Sequence, residues 1–220
     1  MDEENNIDKI SYSDCKKPRF YYGFVKRFLD IFGSLVGIVI LVPTYIIFGI
    51  IIKLDSPGPI IFRHKRIGQG GKEIKVFKFR TMVQNADQVL NNLSKEQKEE
   101  YKENFKLDND PRITKVGKFL RETSIDELPQ FINILVGQMS LVGPRPIVKR
   151  EVEKYGIYAE KLFSVRPGLT GNWQANGRSE TTYQERIMLD MDYINNRSLW
   201  KDFIILLKTV IVVFNKDGAK

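Results

Sequence analysis

The sequence predicts an α/β chain, mainly α, with one membrane helix ahead of a small folded domain that holds a short β-hairpin and amphipathic helices. Three observations carry this reading: an uncharged run at residues 31–52, two β-branched and aromatic segments around GQGG at 68–71, and several stretches with helical apolar spacing.

Composition sets the limits. With 220 residues of which 42% are apolar, the chain can bury one real core, enough for one domain or at most two. The single cysteine, Cys15, excludes an intrachain disulfide, and the single histidine, His64, leaves no His/Cys cluster for structural zinc. Chemistry must then rest on carboxylates, Lys and Arg, with or without a hard metal. A net charge of +8 favours anionic partners without choosing among nucleic acid, anionic lipid and phosphorylated small molecules.

The first element is IFGSLVGIVILVPTYIIFGIII, 22 residues without a charge, which at ~1.5 Å per helical residue approaches the ~30 Å hydrocarbon thickness. Pro43 lies in its middle, where it removes a backbone donor and clashes one turn back. Both flanks are basic, with Lys16, Lys17, Arg19, Lys26 and Arg27 before it and Lys53, Arg63, Lys65 and Arg66 after. A positive-inside bias on both sides suits a helix broken at Pro43 that enters and leaves one face of the membrane. An ordinary kinked span fits the residues equally well.

Next, residues 59–81 read as two strands about the Gly-rich turn, with Lys78 and Arg80 on one face by alternation. The turn is not a phosphate-binding P-loop, because Glu73 stands where Ser or Thr is required. Residues 84–110 are polar and helix-prone, a surface helical insert. In DPRITKVGKFLRE, Ile113, Val116 and Leu120 share one side against Lys115, Lys118 and Arg121, the pattern of a basic amphipathic helix. The C-terminal WKDFIILLKTVIVVFNK is too short and too charged to span, so residues 200–215 are core-packed or interfacial.

Between these lies TSIDELPQ. Leu128, Phe131, Ile132 and Leu135 fall on one helical face and Gly137 follows, so a short helix is expected over 127–136. Pro129 favours Asp126 over Ser124 as the N-cap, because a Ser124 start would put the proline at the fifth helical position, where its missing N–H should bond to Ile125. That position needs no catalytic role, yet a helix N-terminus also favours an ionised carboxylate and a bound phosphate. Asp126 and Glu127 repel one another unless a cation lies between them, and Mg²⁺ is one such cation. Downstream, Pro144 and Pro146 hold Arg145 in an extended backbone, a rigid guanidinium suited to phosphate. The loop RPGLTGNWQANGR adds Arg166, Gln174 and Arg178 as candidates for nucleotide or sugar contact, although turns of this composition are usually structural.

Taken in order, KRFLDIFGSLVGIVILVP, DSPGPIIF, KVFKFRTM, DELPQ, SLVGPRP, RPGLTGNWQANGR and WKDFIILLKT resemble the bacterial sugar transferases, the monotopic polyprenyl-phosphate phosphoglycosyl transferases, over roughly residues 25–212. The resemblance implies a polar tail at 1–24, a re-entrant helix-break-helix at 25–54 broken at Pro43, and a cytoplasmic catalytic domain at 55–220. It implies an Asp126–Glu127 catalytic pair, with Asp126 the nucleophile and Glu127 a Mg²⁺ ligand. Arg145 would bind the donor phosphate, and Lys78 and Arg80 would belong to the site. The implied reaction moves hexose 1-phosphate, galactose or glucose, from a UDP-sugar to undecaprenyl phosphate through an aspartyl-phosphosugar. Implied partners are UDP-sugar, undecaprenyl phosphate and membrane lipid, not nucleic acid, and a homodimer stays open. The implied place is the cytoplasmic face of the bacterial inner membrane. Two rival classes are a lipid-binding scaffold without catalysis and a metal-dependent phosphohydrolase.

Overall fold

The structure is a computed structural model, which describes residues 20–94, 97–99, 101, 107, 110–177 and 181–215. Its dominant element is α1, Phe20–Asp55, a helix of 36 residues and therefore about 54 Å long. It begins ahead of the expected segment at 25–54 and runs through Pro43 without interruption. The expected break is thus a proline inside one helix, not a gap between two. Pro43 forfeits a single backbone bond, and the neighbouring Thr44 hydroxyl donates to Leu41 O (2.8 Å) and Ile40 O (3.0 Å), which keeps the adjacent carbonyls satisfied.

Only 22% of the most apolar window of α1 is buried, and this is the one helix among the described residues long and apolar enough to cross a membrane. Phe24, Phe28, Phe32, Val39, Ile46, Ile50 and Leu54 are all exposed. Moving each from water to hydrocarbon is worth roughly 2 kcal/mol. Such a surface is built for an apolar medium.

The inner side of α1 carries polar anchors instead. Asp30 Oδ1 accepts from Ser140 Oγ and Leu141 N, both at 2.9 Å. Arg27 donates to Ile134 O and Leu135 O, and Lys26 lies 2.7 Å from Asp202 Oδ2. Buried polar groups must be paired, so each bond fixes where the helix sits on the domain.

The hairpin is β1, Ile61–Ile67, antiparallel to β2, Glu73–Phe79, with Phe62 opposite Lys78 and His64 opposite Val76. A polar insert follows with α2, Ala86–Asn91. It is better anchored than its composition suggests: Leu93 and Leu107 are buried, and the Tyr101 ring lies under Arg112 and Arg150. Helix α3, Lys115–Glu122, starts at Thr114, whose Oγ1 accepts from Gly117 N. Its Leu120 is fully buried with Phe79, Leu41 and Ile52.

A 3₁₀ turn at Ile125–Glu127 leads to α4, Gln130–Leu135, and Gly137 at φ +84° stops it, as the sequence predicts. Strand β3, Ser140–Val142, pairs in parallel with β4, Gly168–Thr170. Helices α5 (Val152–Tyr155) and α6 (Ala159–Phe163) lie between them in the chain; α7 (Asn172–Asn176), α8 (Tyr183–Asn196) and α9 (Leu199–Asn215) follow. Val142, Ile147, Tyr155, Ile187, Met191, Tyr193, Ile194 and Ile205 form the largest core. The outer row of α9, Trp200, Phe203, Leu207, Val210 and Ile211, is exposed at helical spacing, so this helix is packed on one side and apolar on the other.

Candidate active site

Helix α3 ends at Thr123, and Ser124 then adopts the left-handed conformation (φ 57°), a rare state for a residue with a side chain. The chain re-enters helical geometry at once. Because Pro129 has no N–H to give Ile125 O, that carbonyl takes Leu128 N (3.1 Å) instead, and the turn tightens to 3₁₀. This corrects the expected helix start. Asp126 lies within the 3₁₀ turn instead of capping a helix over 127–136, and Pro129 flanks α4.

The tight turn puts Asp126 inward, 6% exposed, with Glu127 beside it. Lys78 reaches both from β2: its Nζ is 2.6 Å from Glu127 Oε1 and 3.5 Å from Asp126 Oδ2. Arg145 Nη1 approaches the same Glu127 oxygen at 3.5 Å. The repulsion between adjacent carboxylates is therefore answered by protein cations. Burial still pushes the Asp126 carboxyl up from its ordinary value; Lys78 and Arg121 oppose this and Glu127 adds to it. Arg121 is held nearby by Nε donating to Thr81 Oγ1 at 2.9 Å.

Arg145 is placed by backbone contacts between two loops. Gly143 N donates to Thr170 O and Gly168 N to Pro144 O, both at 2.8 Å. A Cβ on Gly168 would lie 2.1 Å from Gly143 N, so the loops meet backbone on backbone and side chains are excluded there. Pro146 O accepts from Arg66 Nη1 at 3.1 Å, so Pro144 and Pro146 fix Arg145 through their carbonyls as well as their rings.

A second cluster lies behind Arg145, and the sequence reading missed it. Glu151 sits between Arg66 (3.5 Å) and Arg186 (3.4 Å). Arg186 stacks at 4.6 Å over Trp173, whose ring also lies 6.0 Å from Arg145. Asp190 accepts from the Tyr155 hydroxyl at 2.7 Å, and burial pushes its carboxyl up to about 6. These residues are scattered over more than 120 positions of sequence, from Arg66 to Asp190, and no local spacing connects them. The one short-range signal is Glu151 accepting from Val148 N (2.8 Å) at the start of a helical turn.

The structure thus brings Lys78, Asp126, Glu127 and Arg145 together. Arg80 is turned away: it donates to Pro57 O, Ser56 O (2.7 Å) and Ile52 O (3.2 Å), closing the end of α1. The reason is that β2 stops at Phe79, so alternation no longer ties residue 80 to the face of Lys78. The Arg166 carbonyl abuts Gly143, and Gln174 is buried in α7 with neither amide atom hydrogen-bonded. Arg178 lies outside the described residues. Among those described, no group of three or more His, Cys, Asp or Glu could hold a metal alone.

The carboxylate pair and its two cations thus adjoin the core in which Leu41 and Ile52 of the long apolar helix α1 pack with Leu120, Ile125 and Leu128. The chain belongs to the bacterial sugar transferase family, whose model matches residues 21–216. It is 45% identical over 199 residues to an undecaprenyl-phosphate galactose phosphotransferase of Salmonella typhimurium, covering 89% of this chain and 42% of that protein. It is 42% identical over 204 residues to a UDP-glucose:undecaprenyl-phosphate glucose-1-phosphate transferase of Escherichia coli, covering 89% of this chain and 41% of that protein. Against the exopolysaccharide production protein ExoY of Rhizobium meliloti the identity is 40% over 200 residues, 90% of this chain and 88% of that protein. The chain spans less than half the length of the two named transferases.

Proposed function

We propose that the protein transfers hexose 1-phosphate from a UDP-sugar to undecaprenyl phosphate, the first membrane step of a polysaccharide, with galactose ahead of glucose as the sugar. Both sugars occur in the names of the relatives. The observation that carries the reading is Lys78 bridging Asp126 and Glu127, with Arg145 on Glu127.

In the first step an Asp126 oxygen forms a bond to the sugar-bearing phosphorus. The bond from that phosphorus to the bridging oxygen breaks, and UMP leaves with the electron pair. In the second step a lipid phosphate oxygen displaces Asp126 from the same phosphorus. Lys78 moves from carboxylate to phosphate as charge develops, and Arg145 holds the donor phosphates. The all-oxygen donor set of Glu127, with substrate phosphates completing it, fits Mg²⁺, which would supply further charge neutralisation. Arg166, Gln174 and Arg178 remain proposed contacts of the nucleotide or sugar.

The same proposal places α1 in the cytoplasmic leaflet, entering and leaving one face, which requires the helix to bend at Pro43 in the membrane. Support comes from a length of about 54 Å against ~30 Å of hydrocarbon, and from the apolar outer row of α9, which suits a helix lying in the interface. Cysteine labelling at positions 5 and 200, with Cys15 replaced, tests this; accessibility from opposite sides of the membrane overturns it.

The reaction is tested by mixing protein and UDP-galactose or UDP-glucose without lipid acceptor. The expected result is a burst of UMP and a phosphosugar adduct on Asp126 by mass spectrometry. A complete reaction with neither burst nor adduct overturns the two-step route.

A further inference from the structure

The face of the hairpin that carries Lys78 carries two more polar residues. Directly paired residues share a face and alternate residues return to it, so Phe62, His64 and Arg66 lie with Lys78, Val76 and Ile74. Lys78 ends this row at the carboxylate pair. Arg66 ends it at Pro146 O and Glu151. His64 stands between them, partly buried, its ring 5.5 Å from that of Phe62.

Arg66 Nη2 lies 3.3 Å from His64 Nδ1. A guanidinium has donors and no acceptor, so Nδ1 must be the bare nitrogen of the ring and the proton must reside on Nε2. That tautomer leaves no base: one ring nitrogen is taken by Arg66 and the other already carries hydrogen. A second proton is opposed by burial and by the cations around the ring, Arg66 on β1, Lys78 on β2, Arg145 after β3 and Arg150 before α5; together they push the imidazole down to about 3. The nearby acids, Glu127 and Glu151, are engaged with Lys78, Arg145, Arg66 and Arg186.

We propose that His64 is a neutral hydrogen-bond donor to a phosphate oxygen of the nucleotide substrate, fixed in its Nε2–H form by Arg66. This rests on the nucleotide-sugar reading above. It assigns the sole histidine of the chain a binding role and excludes it as general base or imidazolium. Unlike the lysine and arginines, such a donor offers direction without adding charge to an already cationic basin.

A single histidine makes the test clean. With imidazole ¹⁵N-labelled full-length protein in nanodiscs, a long-range proton–nitrogen spectrum should give the Nε2–H tautomer, unchanged between about pH 5 and 8, where an ordinary histidine titrates. Added UDP should shift the Nε2–H resonance. His64→Gln, which keeps a neutral N–H, should leave the KM for UDP-sugar within about threefold, whereas His64→Leu should raise it by about tenfold or more. Titration near pH 6.5, the opposite tautomer, or equal KM values for the Leu and wild-type proteins overturns the proposal. UDP that binds without moving Nε2–H sinks this inference alone, while UDP that fails to bind at all sinks the nucleotide-sugar reading with it.

Discussion

Lys78 Nζ lies 2.6 Å from Glu127 Oε1 and 3.5 Å from Asp126 Oδ2. One ammonium therefore bridges both acids. Its location follows from the register of the hairpin, in which Lys78 faces Phe62 at the open end, far from the Gly-rich turn.

Lys78→Met should expose this dependence. Two neighbouring carboxylates would lose their shared cation, and breaking a largely buried ion pair costs about 3 kcal/mol. We expect a lower midpoint in urea unfolding and loss of UMP release by a hundredfold or more. Adding Glu127→Gln should recover stability but not activity. A single variant as stable as the native protein would mean that the bridge is absent in solution.

Asp126→Asn separates function from stability. The folded-state pKa of Asp126 is raised, mainly by burial. Between its unfolded value of about 3.9 and that higher value, the native state binds more proton than the unfolded one, so stability falls as pH rises through this window and the penalty persists above it. Asparagine carries no such penalty. Thermal scans at pH 7 should therefore give a Tm equal to or above that of the native protein, while turnover disappears. For the native enzyme, the acid limb of the rate profile should lie above the ordinary aspartate range; a limb near pH 3.9 would contradict the burial.

Arg80 makes a contrasting prediction. Its guanidinium holds carbonyls of Ile52, Ser56 and Pro57 at the end of α1. Arg80→Met should lower stability by about 2–3 kcal/mol through those unpaired carbonyls and leave the KM for UDP-sugar within threefold. A large rise in KM with unchanged stability would restore Arg80 to the substrate site.

Asp202 anchors the long apolar helix α1 to the domain. It accepts from the Tyr193 hydroxyl (2.7 Å), Lys26 Nζ (2.7 Å) and the Tyr22 hydroxyl (3.1 Å), while the same Tyr193 oxygen lies 3.1 Å from Val142 O, the residue just before the Gly143–Pro144 turn. Asp202→Ala should cost about 3 kcal/mol, and Tyr193→Phe about 1–1.5 kcal/mol. Protease cleavage between α1 and the domain should quicken in the same order. Equal cleavage in all three proteins would show that other contacts hold α1.

Much of this was legible in the sequence, and the limits are instructive. The hairpin follows from β-branched residues flanking three glycines, α3 from the apolar stripe that includes Val116 and Leu120, and the end of α4 from Gly137, all signals within a few residues. Asp126, Glu127 and Arg145 stood out as neighbours of Pro129, Pro144 and Pro146, and the structure brings all three to Lys78 or to one another. The β3–β4 pairing was not, because two three-residue strands joined in parallel leave no periodic trace. Nor was the Arg66–Glu151–Arg186 cluster, which exists only after three distant segments meet. Arg80 was grouped with Lys78 by a strand rule that β2, ending at Phe79, does not carry to residue 80, and its side chain bonds the end of α1.

The contact between Gly143 and Gly168 has a practical consequence for engineering. Two loops whose main chains touch cannot be exchanged one at a time: a new loop carrying any side chain at either glycine would displace its neighbour, and with it Arg145. Chimeras built to change sugar preference should therefore carry residues 140–146 and 167–177 across as a single graft, and half-grafts should express poorly even when both parents are well behaved.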